Sequence, residues 1–108
     1  MSRRFHCKAD ANQPEIVEAI RRAGATVLHL HTIGKGCPDI CIGYAGLSLL
    51  AEIKDGSKPQ SAQRLTSDEQ EWHDTWKGGV YIVRNVEDAL NAVLTLRRWG
   101  DILRGYEK

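Results

Sequence analysis

Asp39-Ile-Cys-Ile-Gly-Tyr-Ala-Gly-Leu-Ser-Leu-Leu-Ala-Glu-Ile-Lys54 is the stretch that decides the fold. Two apolar, β-rich runs, Ile40 to Tyr44 and Leu47 to Lys54, flank the pair Ala45-Gly46. Two such runs around a two-residue turn containing glycine predict a β-hairpin. With the turn centred between Ala45 and Gly46, Tyr44 faces Leu47, Cys41 faces Leu50 and Asp39 faces Glu52. Directly opposed residues share a face, with Cβ atoms roughly 4.5–5.5 Å apart. Lys54 lies two residues beyond Glu52 and projects from that same face.

Upstream, Asn12-Gln-Pro-Glu15 reads as a helix start, with Asn12 as cap, Pro14 in the first turn and Glu15 at the third helical position. Ile16, Ile20 and Ala23 recur at helical spacing, and Gly24 supplies the stop. Ala25 to His31 is β-rich and predicts a strand, followed by the glycine-rich link Ile33-Gly-Lys-Gly-Cys-Pro38. Downstream, Asp55 to Leu65 is polar and reads as a mobile loop. Thr66-Ser-Asp-Glu69 is a capping-box pattern opening a second helix, in which Trp72 and Trp76 sit one turn apart and read as core. Gly78-Gly79 end that helix, and Val80 to Val83 predicts a buried strand. Asn85-Val-Glu-Asp88 opens a third helix whose Ala89, Leu90, Val93 and Leu94 form an apolar stripe. The order helix-strand-strand-strand-helix-strand-helix predicts an α/β fold with helices covering a central sheet.

A chain of 108 residues fits one domain, spanning 1–108, with a basic arm over 1–10 and a charged tail over 99–108. The formal net charge of +1 excludes general basicity, so any contact with nucleic acid rests on local charge. Cys7, Cys37 and Cys41 cannot all pair within one chain. The opening Met1–Cys7 is polar and unlike a signal peptide, and no apolar run approaches membrane-spanning length. The expectation is a reduced, cytoplasmic protein with no membrane contact. His6, Cys7, His29, His31, Cys37 and Cys41 raise structural zinc, but their spacing matches no zinc-ligand pattern.

The hairpin gathers two carboxylates and one ammonium at its open end. Opposed carboxylates destabilise a sheet unless something neutralises them, and the flanking Ile40, Ile42, Leu49, Leu50 and Ile53 are core-like. A divalent cation is the natural remedy. Mg²⁺ binds through one or two carboxylates plus substrate phosphate, lowers the pKa of a bound water and polarises a phosphodiester oxygen. In such a site Lys54 orients the attacking water or offsets developing negative charge. The bland reading, a turn aspartate beside a surface Glu–Lys pair, is disfavoured by the register.

Pro38-Asp39 followed by Glu52-Ile53-Lys54 resembles the PD-(D/E)xK nuclease signature. The wider set Glu15, Gly36-Cys-Pro-Asp39, Glu52-Ile-Lys54 and Gln70-Glu-Trp72 resembles the virus-type replication-repair nuclease (VRR-NUC) branch, over roughly residues 10 to 90. The length resembles its stand-alone, phage-type members. The resemblance implies a restriction-endonuclease-like α-β-β-β-α-β core, a central mixed sheet flanked by helices, with an extra C-terminal helix. It implies Asp39 and Glu52 as metal-binding acids, the Ile53 carbonyl as a further ligand, and Lys54 as the catalytic lysine. Glu15 matches the first-helix acid of a metal site, and Gln70 the polar residue that steadies the centre. The resemblance also implies Mg²⁺, with Mn²⁺ able to substitute, a DNA substrate, and a homodimer.

Lys58 and Arg64, in the loop after the catalytic strand, are candidates for phosphate contact, as is Lys35 between two glycines. The function expected is Mg²⁺-dependent endonucleolytic hydrolysis of DNA phosphodiesters, with branched or junction DNA favoured because so small a chain has little surface for reading sequence. The alternative is a catalytically silent, nucleic-acid-binding module with a nuclease-like fold; the intact acid-acid-lysine set argues against it.

Overall fold

A computed structural model describes residues 10–106, the side chain of Tyr106 excepted. The basic arm expected over 1–10 lies outside the described residues apart from Asp10. Eight elements follow in order: α1 (Gln13–Arg22), β1 (Thr26–His29), β2 (Ile40–Tyr44), β3 (Leu47–Ile53), α2 (Gln60–Gln63), α3 (Ser67–Thr75), β4 (Val80–Val83) and α4 (Val86–Tyr106). The strands form one four-stranded mixed sheet in the order β1-β2-β3-β4, with β3 and β4 parallel and the other neighbours antiparallel. The expected α/β class and element order are therefore present.

The hairpin register is the one the turn predicts: Tyr44 pairs with Leu47, Cys41 with Leu50 and Ile40 with Ala51. Ala45 and Gly46 both take positive φ, 57° and 81°, the backbone of a two-residue turn whose twist matches its strands. Alternation along the strands then sorts the side chains. Ile40, Ile42, Leu49, Ala51 and Ile53 point to one face and pack, fully or almost fully buried, with Ile16 and Ile20 of α1 and Ala89, Ala92, Val93 and Leu96 of α4. Asp39, Glu52 and Lys54 project from the opposite face, where α3 lies.

Several boundaries and faces differ from expectation. The first strand is Thr26–His29, shorter than Ala25 to His31, and it is a mostly exposed sheet edge. The span Asp55 to Leu65 carries the short helix α2, with Pro59 at its N-cap. Of Val80 to Val83, only Val83 is buried. Cys41 is only half-buried, being on the α3 side of the sheet. Asn12 precedes α1 but makes no capping bond. Its Nδ2 donates instead to the carbonyls of Lys54 and Arg84, both at 3.2 Å, tying the start of α1 to the ends of β3 and β4.

The inner stripe of α4 is Ala89, Ala92, Val93, Leu96 and Gly100, while Leu90 and Leu94 are exposed. Small residues there let the helix approach the sheet: a Cβ on Gly100 would sit 2.8 Å from the Ala45 Cβ. The helix also runs through the expected tail, so residues 99–106 are helical, with Trp99, Ile102 and Leu103 exposed. Trp72 and Trp76 are not core. No residue of α3 is buried, Trp76 is exposed, and the two indoles stack on each other with centroids 4.8 Å apart. Among the described residues no helix is long and apolar enough to cross a membrane.

The glycine link bears directly on α3. Gly36 has φ +79°, and a Cβ there would lie 2.2 Å from the Asp68 carbonyl oxygen in the first turn of that helix. Gly36→Ala combines left-handed strain with a backbone clash and is expected to cost about 2 kcal/mol or more. Urea unfolding measures it. A loss under about 0.5 kcal/mol would mean that the link does not rest on α3.

Candidate active site

The hairpin's open end is held by a backbone bond as well as by its register. The Leu30 N–H donates to the Asp39 carbonyl at 2.7 Å, continuing the β1–β2 ladder past its last paired strand residue. Asp39 Oδ2 in turn accepts from the Ile53 N–H at 2.7 Å. That bond aims the Asp39 carboxylate across the hairpin at the segment carrying Glu52 and Lys54. The Lys54 N–H donates to the Val83 carbonyl at 2.9 Å, so β4 fixes the same segment from its other side.

Glu52 is 2% exposed, and its Oε1 is buried without a hydrogen-bond partner. Burial first, then the neighbouring Asp39 and after it Glu69, push its carboxyl up to about 10. Two acids facing one another in a dry site cannot both ionise cheaply, and here Glu52 keeps the proton. Lys54 is buried as well, at 8% exposed. Burial disfavours its charge, but a hydrogen bond and the charge of Glu69 outweigh that and hold the ammonium above its ordinary value.

Two residues of α3 complete the cluster, and neither was singled out as a site residue from sequence. Glu69 Oε1 lies 2.7 Å from Lys54 Nζ. His73 Nε2 lies 3.8 Å from Glu52 Oε1, too long for a hydrogen bond, and both atoms are otherwise unpartnered. Glu69 was legible only as the third position of a capping box, which it also is. His73 stands one helical turn further along, a spacing that would have paired it with Glu69 once the facing side was known. Asp10 is a third addition. Burial raises its carboxyl, Lys54 opposes that and Asp39 adds to it, so it stands within electrostatic reach of the cluster.

The other expected site residues lie further out. Gln70 is exposed and its Nε2 donates to Asp74 Oδ1 at 2.8 Å, so α3 turns it away from the carboxylates that it was expected to steady. Glu15 is exposed and lines a groove with Asn12, Asp55, Ser57 and Arg84. Lys58 and Arg64 are exposed on the α2 segment. Lys35 is exposed with φ 57° and lines a shallow groove with Asp68, Glu71 and Trp72.

Among the described residues no three His, Cys, Asp or Glu side chains group closely enough to hold an ion by themselves. The donor set at the hairpin is instead two carboxylates, one with an unpartnered buried oxygen, beside the Ile53 backbone. That set fits Mg²⁺, which keeps several waters and takes one or two carboxylates from the protein. It does not resemble the nitrogen- and sulfur-rich set of a structural zinc. The chain matches no protein-family model, no characterised protein and no solved structure.

Proposed function

We propose that this protein is a Mg²⁺-dependent nuclease that hydrolyses DNA phosphodiester bonds at the open end of the β2–β3 hairpin. One observation carries the reading. Asp39, pinned to the Ile53 N–H at 2.7 Å, faces the buried Glu52 with its unpartnered oxygen, and a charged lysine stands two residues beyond. A buried acid pair of this kind is costly to fold and is relieved by a cation.

Asp39 and Glu52 would hold the metal. When bound, it supplies a water of lowered pKa and a Lewis acid for a non-bridging phosphate oxygen. The protein's own part is positioning and charge. Asp39 is oriented by the Ile53 amide, so its second oxygen is free to face a cation. To hold the metal, Glu52 would release to solvent the proton it carries in the metal-free protein. Lys54 offers its ammonium to the attacking water or to the negative charge that builds on phosphorus-bound oxygens. The exposed Lys58 and Arg64 lie on the segment that follows β3, and support phosphate contacts flanking the scissile bond.

The test is to incubate the protein with supercoiled plasmid, linear duplex, single strands and a four-way junction, in Mg²⁺, Mn²⁺ or EDTA. Cutting is expected in both metals, at its fastest on branched DNA, and none is expected in EDTA. Metal-independent cutting, or cutting that persists undiminished in Asp39→Ala, would sink the reading. Binding to DNA without cutting under any condition would favour the silent module.

A further inference from the structure

Lys54 stands two residues beyond Glu52, yet the carboxylate it bonds is not the one on its own strand. The hydrogen bond, at 2.7 Å, goes to Glu69 Oε1, and Glu52 Oε1 is left without a partner. That single Glu69 oxygen also accepts from the Thr66 N–H at 2.9 Å, while the Glu69 N–H donates to Thr66 Oγ1 at 3.2 Å. The capping box of α3 therefore sets the place of a carboxylate that reaches across to β3. Both side chains of the pair are largely shielded, at 10% and 19% exposed, where an ion pair is screened little by water.

We infer that Glu69 is the positioning residue of this site: it holds the Lys54 ammonium against α3 and off Glu52, leaving the Asp39–Glu52 pair open to a divalent cation. Without it, the ammonium is left on the same face as Glu52, two residues away along the strand, and an ion pair there would occupy the oxygen that a metal needs. An ammonium has three N–H donors, and Glu69 takes one. Two remain for a water and a phosphate oxygen. What Lys54 does with those two rests on the nuclease reading; the holding itself does not.

Two variants separate the positioning role from the capping role. Glu69→Gln keeps the shape and the capping box, since glutamine serves as well at that position, but removes the charge. Thr66→Ala removes the Oγ1 half of the box, and keeps both the Glu69 charge and the Thr66 backbone N–H that holds its carboxylate. Steady-state cutting, Mg²⁺ half-saturation, Mn²⁺-induced thermal shift and the NMR signal of the slowly exchanging Lys54 Nζ protons are measured on the full chain. For Glu69→Gln, kcat is expected to fall and the Mg²⁺ requirement to rise, each about 10- to 100-fold, with KM for DNA unchanged. The Nζ signal is expected to disappear. Thr66→Ala is expected to melt earlier yet keep the wild-type kcat, metal requirement and Nζ signal. Wild-type behaviour of Glu69→Gln, or equal losses in Thr66→Ala, would overturn the inference. Should the wild-type chain cut nothing, the nuclease reading falls. The Nζ signal and the Mn²⁺ shift then still decide: loss of the signal and weaker Mn²⁺ stabilisation in Glu69→Gln uphold the positioning role, and their persistence overturns it.

Discussion

Glu52→Gln is expected to reduce metal-dependent cutting by about 1,000-fold or more, and to flatten the pH dependence of folding in the metal-free protein. The first effect follows from removing one of the two carboxylates proposed to hold a cation. The second follows from linkage. The Glu52 carboxyl stands near about 10 in the folded chain against an ordinary 4.5. Between those values the folded state holds a proton that the unfolded state releases, so stability falls as pH rises through that window. The slope approaches about 1.4 kcal/mol per pH unit for one such group. The Lys54 contribution has the opposite reach: its raised value keeps that stability in place throughout the window and loses it only above the ordinary lysine range. In Mg²⁺ the Glu52 trend reverses, because a metal binds the deprotonated carboxylate and its stabilisation grows with pH. Melting temperatures at pH 5, 7 and 9, with EDTA or Mg²⁺, check both signs. A wild-type protein that is more stable at pH 9 than at pH 5 in EDTA would refute the protonated Glu52.

Lys54→Met is expected to lose cutting to a similar extent and, unlike Glu52→Gln, to destabilise the chain by about 3 kcal/mol. The reason is the company the ammonium keeps. Removing it leaves the Glu69 carboxylate without its cation at a side chain only 19% exposed. Breaking one half of a buried pair costs more than replacing both halves. The double variant Lys54→Met/Glu69→Gln is therefore expected to recover much of the stability and none of the activity. Chemical denaturation of the two singles and the double gives the coupling directly. If the double variant is no more stable than Lys54→Met, the buried-pair account fails.

What the sequence made legible was local. The Ala45-Gly46 pair fixes the hairpin's turn, the turn fixes the register, and the register brings Asp39 opposite Glu52 without reference to any other element. What it concealed was which side of each helix faces inward. In α4 the large Leu90 and Leu94 suggested a stripe, yet the inner face is built from Ala89, Ala92 and Gly100, because close approach to the sheet and to Ala45 favours small side chains. In α3, helical spacing of Trp72 and Trp76 suggested core. The helix covers a polar cluster instead, and its inward residues are Glu69 and His73. A glutamate in a capping box carries no sign that its carboxylate also serves a lysine on another element. Asn12 is the same case reversed: an amide placed to cap spends its donors on the ends of β3 and β4.

The short path through the Ala45-Gly46 turn also has a consequence for how the chain folds. Asp39 and Glu52 are brought together by a contact of low sequence separation, and hairpins of this kind close in about 1–10 μs. Helices α1 and α4, which supply the other wall of the core, join β2 and β3 through contacts far more distant along the chain. The two acids are therefore expected to meet while the hairpin is still wet, when water screens their repulsion and a proton is easily taken up. Docking of the helices and of α3 then dries the pair with that proton in place. On that order, the cost of placing two acids side by side is met at its least expensive moment, before the site is sealed.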